Sequence, residues 1–116
     1  MSHRIYAMTF ARIHAALLAK VERKGRNRAE LDAVIGWLTG YDATGIAQAV
    51  EDGRDMGAFF ASAPAPNPAR MDVTGVVCGV RVENVEEPLM RDIRVLDKLV
   101  DELAKGRPLA KILRQQ

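Results

Sequence analysis

Two apolar-periodic stretches with almost nothing between them constrain this chain most. Phe10, Ile13, His14, Leu17, Leu18 and Val21 recur at three- and four-residue spacing, and Leu31, Val34, Ile35 and Leu38 do so again, with Trp37 on the flank. That spacing gathers side chains on one face of an α-helix. Thr9 is placed to cap the first helix, and Lys20, Arg23 and Lys24 put positive charge at the carbonyl end of its dipole. Gly25 offers the left-handed residue that stops it. Asn27, with Glu30 three positions on, opens the second helix as a capping box, and Gly40 ends it. So short a connection predicts an antiparallel helical hairpin over 9–39.

Downstream, the signals are shorter. Asp42 or Thr44 can cap a third helix carrying Ile46 and Val50, and Asp55 a fourth bearing Met56, Phe59 and Phe60. Prolines at 64, 66 and 68 require an extended loop. Residues 73–82, VTGVVCGVRV, match two periods at once. Val73, Val76, Val77 and Val80 fit a helical face, whereas Val76, Cys78, Val80 and Val82 alternate as a strand would. A strand needs a partner, and Tyr6, Met8 and Phe10 are the other alternating set, so helix is the expectation and strand the alternative. Pro88 stands where a first helical residue belongs. Leu89, Ile93, Leu96, Val100 and Leu103 then form the longest amphipathic stripe, which Met90 and Leu99 widen. Gly106 ends that helix, and Pro108 starts a short last one with Leu109, Ile112 and Leu113.

The expected fold is therefore mainly α, a compact helical domain with an N-terminal αα-hairpin and a long C-terminal helix. The alternative is α+β with 73–82 as a strand. At 116 residues and 48% hydrophobic content, 1–116 is expected to form one domain around one core. A single cysteine excludes an intramolecular disulfide and fits a reducing compartment. No apolar run approaches the roughly 20 residues of a membrane span. The seven mostly apolar residues between Arg4 and Arg12 are short for a signal peptide, and no small-residue cleavage site follows them. A cytoplasmic location without membrane association is expected.

Several blocks carry a likeness to a known family. They are His3-Arg4-Ile5-Tyr6, Glu22-Arg23-Lys24-Gly25-Arg26, the run Val34 to Tyr41, and Phe59-Phe60 with Ala63-Pro64 and Asn67-Pro68. The run Thr74 to Glu83 follows, then Pro88-Leu89-Met90, Ile93-Arg94, Leu96 to Gly106, and Lys111 to Arg114. In this order, over nearly the whole chain, they resemble the bacterial family named domain of unknown function 2200. The resemblance implies no activity. The family pattern also has tyrosines near His14 and at Val95, and this chain has neither.

Charge is distributed unevenly. Residues 1–28 hold seven bases (Arg4, Arg12, Lys20, Arg23, Lys24, Arg26, Arg28) and one acid, Glu22. Residues 29–53 hold five acids (Glu30, Asp32, Asp42, Glu51, Asp52) and no Lys or Arg. The remainder is nearly balanced, but 105–114 holds Lys105, Arg107, Lys111 and Arg114 with no acid. The clusters at 20–28 and 105–114 suit a polyanion such as nucleic acid, with Lys20, Arg23, Lys24, Arg26 and Arg28 as ligands. Solvated helix ends decorated with bases would look the same. A DNA-reading helix-turn-helix is excluded, because the second helix carries Glu30 and Asp32 and no array of base-reading side chains.

An enzyme would centre on Cys78, Arg81 and Glu83, with Cys78 as nucleophile and His14 or His3 as base. No Lys or His adjoins Cys78, and its valine neighbours predict burial and inertness. If buried, Arg81 would need a carboxylate such as Glu83. Glu83, Glu86, Glu87 and Asp92 gather acids ahead of the long helix, where its dipole favours them without further role. Two histidines eleven residues apart and one remote cysteine match no zinc spacing, and Gly75 and Gly79 make no phosphate loop. No metal or cofactor is expected. The sequence thus points to a small binding or interaction protein rather than an enzyme, and the wide stripe of the long helix could also serve a homodimer.

Overall fold

The computed structural model describes residues 4–113. Its helices are α1 (Phe10–Glu22), α2 (Arg28–Thr39), α3 (Ala43–Glu51), α4 (Met56–Ala61), α5 (Pro88–Ala104) and α6 (Leu109–Ile112). Two-residue strands β1 (Val76–Val77) and β2 (Val80–Arg81) form a hairpin, and 3₁₀ turns cover Arg4–Ala7, Pro68–Asp72 and Val82–Asn84. Mainly α is the observed class.

The helix starts follow local chemistry closely. The Thr9 hydroxyl accepts from the Arg12 amide at 3.2 Å. Asn27 Oδ1 accepts from the Glu30 amide at 2.9 Å, while Glu30 Oε1 accepts from the Asn27 amide at 3.2 Å, which completes the capping box. Asp42, not Thr44, caps α3, and Asp55 caps α4. Each such cap satisfies an amide that the first helical turn leaves open.

The core gathers around α5, which packs on α1, α2, α4, α6 and the β-hairpin. Its stripe, Ile93, Leu96, Leu99, Val100 and Leu103, is buried, and Leu89 and Met90 pack against the same core. The face that looked wide enough for a partner is thus covered within the protomer. Three of the six aromatic residues stack beside it: Phe10 lies 3.8 Å from Phe59 and Tyr41 4.6 Å from Phe59, centroid to centroid. The Tyr41 hydroxyl donates to the Phe59 carbonyl at 2.7 Å, so its buried polar end is satisfied. Tyr6 donates to Glu87, which ties the 3₁₀ turn at the amino end to the start of α5. Burial and the neighbouring carboxylate raise the Tyr6 phenol to about 12.

Residues 73–82 depart from the helical expectation. They fold back on themselves, pairing Val76 with Arg81 and Val77 with Val80. Cys78 (φ +51°) and Gly79 (φ +76°) occupy the turn in the left-handed region, which a right-handed helix cannot accommodate but a two-residue hairpin turn requires. The strand alternative also misplaced the partner, since the backbone near Tyr6 forms a 3₁₀ turn and the Thr9 bridge goes to Asp55. The small hairpin is held by its surroundings. Val73, Val77 and Val82 are buried, and Glu83 Oε1 accepts from the Gly75 amide at 3.0 Å.

Candidate functional site

The two basic clusters, about eighty positions apart in sequence, meet at the carboxyl end of α5. Arg26 joins them. Its Nη1 donates to the carbonyls of Leu103 at 3.0 Å and Arg107 at 2.9 Å. Its Nε and Nη2 reach Glu30 Oε2 at 2.9 and 2.6 Å. A guanidinium is the one side chain that presents donors in a fork able to serve a carboxylate and two carbonyls together. The Leu103 carbonyl lies in the last turn of α5, where a cation also meets the negative end of the dipole. Arg26 hydrogen bonding holds the Glu30 carboxyl below its usual range.

Around this joint a polar cleft of about 680 Å³ opens, lined by Lys98, Lys105, Arg107 and Lys111 with Asp101 and Glu102. Lys20 reaches its edge, 3.6 Å from Asp101, and Lys105 lies 3.0 Å from the other oxygen of that carboxylate. Burial works to raise the Asp101 carboxyl, but Lys105, Lys20 and Lys98 outweigh it and hold it low. Glu102 is buried and pairs with Arg107 at 3.5 Å. Asp97, one turn earlier, is pushed up by burial, against the pull of Arg94 and Lys20.

The five sequence-predicted anion ligands therefore differ in what they have to spare. Arg23 and Lys24 are exposed, with no ion pair among the described residues. Lys20 has its long contact to Asp101, and Arg28 a 3.4 Å contact from Nε to Asp32. Arg26 is occupied by the fold itself. From the second cluster, Lys105, Arg107 and Lys111 reach the cleft, whereas Arg114 lies outside the described residues. Lys98 at the cleft was not singled out from sequence; its place opposite the 105–111 turn depends on how α6 folds back.

The catalytic candidates stand elsewhere. Cys78 sits at the hairpin tip and is exposed, contrary to the burial its valine neighbours suggested. Alternate side chains of so short a hairpin point to opposite faces, so Val77 goes inward and the turn residue outward. Among the described residues no hydrogen bond links the Cys78 thiol to another side chain, and His3 lies outside them. Arg81 is exposed and 3.6 Å from Glu83, whose other oxygen closes the hairpin. The Gly75 amide, more than Arg81, holds the Glu83 carboxyl low. Of the other acids, Glu87 accepts from Tyr6 and Asp92 pairs with Arg70 at 3.0 Å.

One pairing was not visible in the sequence. His14 is buried, as its place on the α1 stripe implied, and its Nε2 lies 2.8 Å from Asp32 Oδ1 on α2. Among the described residues no group of three or more His, Cys, Asp or Glu is arranged to hold a metal ion. No helix among them is long and apolar enough to cross a membrane.

Comparison with known proteins adds lineage. No curated protein matches this chain. The crystal structure of uncharacterized protein SP1917 superposes with a TM-score of 0.93 at 44% identity, covering 99% of this chain and 94% of the other. The model of the family described as uncharacterised proteins conserved in bacteria, DUF2200, matches residues 4–114. The chain belongs to the DUF2200 family.

Proposed function

We propose that this protein is a small cytoplasmic binding protein, folded as one domain over 1–116, that takes a polyanion on the basic face at the end of α5. The supporting observation is the meeting of the two basic clusters across Arg26. Lys20 comes from one and Lys105, Arg107 and Lys111 from the other, with Lys98 at the cleft, while Arg23 and Lys24 stand exposed a few residues before Arg26 in the chain. A surface of this kind acts by neutralising phosphates or sulfates and releasing their counterions, which needs cations held in a patch rather than a reactive group. Arg26 has a positioning role, since it fixes the two clusters against each other, while Asp101 draws Lys20 and Lys105 together at the cleft edge and Glu102 holds Arg107 there.

Retention on heparin and binding to labelled single-stranded RNA, followed at rising salt, test this reading. Affinity should fall log-linearly with salt. Replacing Arg23, Lys24, Lys105 and Lys111 together by Glu should abolish binding, while each single change lowers the slope by roughly one for every phosphate left without its cation. Absence of binding even at low salt, or binding that survives the quadruple change, would overturn it.

A further inference from the structure

A second concave surface lies on the outer side of α2. It is a groove of about 550 Å³ that runs along α2 to the start of α3. Ala29, Ala33 and Gly36 line it along the helix, with Tyr41 near its far end. Its exposed charges differ in sign at the two ends, with Asp32, mostly covered and paired with Arg28, also lining the first. Arg28, the first residue of α2, stands at one end, and Asp42, the cap of α3 just past the end of α2, at the other. At 1.5 Å per residue the helix between them spans roughly 18 Å. Both charged groups have bonding capacity left. Arg28 uses only Nε, in its 3.4 Å contact with Asp32, and Asp42 uses Oδ1 to accept from the Gly45 amide at 2.7 Å. Among the described residues no hydrogen bond takes up the terminal nitrogens of Arg28 or Oδ2 of Asp42.

An occupant of this groove must be slim over its middle, positive near Asp42 and negative near Arg28. A reversed copy of α2 with the adjoining α3 cap has that pattern. We propose that the groove is the seat of a second copy of this chain, with the two α2 helices antiparallel across a two-fold axis. Position 35 is midway between 28 and 42, so the axis falls between Ala33 and Gly36; the small side chains of Ala29 and Ala33 let the two helices approach, whereas the space at Gly36 is taken by the Tyr41 carbonyl of the same chain, 2.9 Å from where a Cβ would stand. Arg28 of each copy then meets Asp42 of the other, giving two equivalent ion pairs in an isologous interface. The lack of any Lys or Arg in 29–53 leaves Arg28 as the cation for that pairing. Asp32, one turn from Arg28, is engaged by buried His14 on one oxygen and Arg28 on the other, which offsets its repulsion of the incoming Asp42 at that end. The α5 stripe, occupied inside the protomer, takes no part.

Light scattering with sedimentation across a concentration series reads the mass, and Trp37, the single tryptophan and a flank residue of α2, reports the interface by fluorescence. The full chain should form a concentration-dependent dimer. Ala33→Arg should make it monomeric with unchanged helical circular dichroism. Arg28→Asp and Asp42→Arg should each weaken the dimer by about tenfold or more. An equimolar mixture of those two variants should recover a heterodimer, because complementary charges then face each other across the axis. Should Asp42→Arg fold poorly through loss of its cap, Asp42→Asn, which keeps the cap but removes the charge, provides the check, since it should weaken the dimer in the same direction. A chain that stays monomeric at every concentration overturns the proposal. So does a dimer that Ala33→Arg leaves intact, or one that Asp42→Asn leaves as tight as before.

Discussion

The helical hairpin of α1 and α2 and the small β-hairpin at 76–81 are both turns between short apolar segments, yet they were legible to very different degrees. In the helical pair every local cue agrees: stripe, cap, capping box and stop. In the β-hairpin the stripe fits two periods, and two consecutive left-handed residues decide between them. One of the two is a cysteine, which composition alone does not mark as a turn residue. The contrast shows that apolar periodicity identifies an element only when it is long enough to exclude the other period, or when its ends are capped. Four valines over eight residues satisfy neither condition.

The comparison can be tested at several positions, beginning where the largest effect is expected. Arg26→Ala removes the side-chain hydrogen bonds from the helical hairpin turn to the carbonyls of Leu103 and Arg107, and it leaves Glu30 Oε2 without its partner. A loss of about 2–3 kcal/mol is expected by thermal or urea unfolding. Arg26→Lys should recover little of it, since an ammonium cannot reproduce the fork. Recovery with lysine would mean that charge, not geometry, holds the joint. Asn27→Ala breaks the capping box and should cost about 1 kcal/mol, with Asn27→Ser nearly neutral. If Asn27→Ala is silent, tertiary packing and not the cap sets the start of α2.

The β-hairpin should respond in the opposite direction. Cys78→Asn installs a turn residue that tolerates positive φ ahead of Gly79, and a gain of about 0.5 kcal/mol or more is expected. Cys78→Val, branched at Cβ, should be destabilising at the same site. A stabilising valine would contradict the turn assignment. Smaller still is the effect of charge. Glu83 titrates below its usual range in the folded chain, so its contribution is present above the ordinary carboxylate range and is lost as pH falls through the lowered value. The Gly75 amide resonance should follow that titration, and Glu83→Gln should abolish the pH dependence. Asp97 is the converse. Its raised carboxyl disfavours the folded state at neutral pH, so stability gains from it as pH falls, and Asp97→Asn should leave the melting temperature equal or slightly higher at pH 7. A clear fall would show that the partnership with Arg94 outweighs burial.

The candidate basic face divides along the same line. Its lysines and arginines were plain in the sequence as two separate clusters. Which of them are free to bind was not, because that depends on neighbours far along the chain. Arg26 looked equivalent to Arg23 and Lys24, and it became different only when the ends of α1 and α5 met. Lys98 belongs to neither cluster in the sequence, because its charge sits in a helix rich in compensating acids such as Asp101 and Glu102.

By itself the sequence determined the helix starts and stops, the antiparallel pairing of α1 with α2 and the mainly α class. The reason is that caps, stripes and left-handed glycines act within four residues of backbone. Tertiary structure alone decided that 73–82 closes on itself and that its cysteine faces out. It also brought His14 to Asp32 and joined the distant basic clusters at Arg26. Each of those outcomes rests on groups that packing brings together from well-separated parts of the chain, or on a short ambiguous segment that local preference leaves balanced.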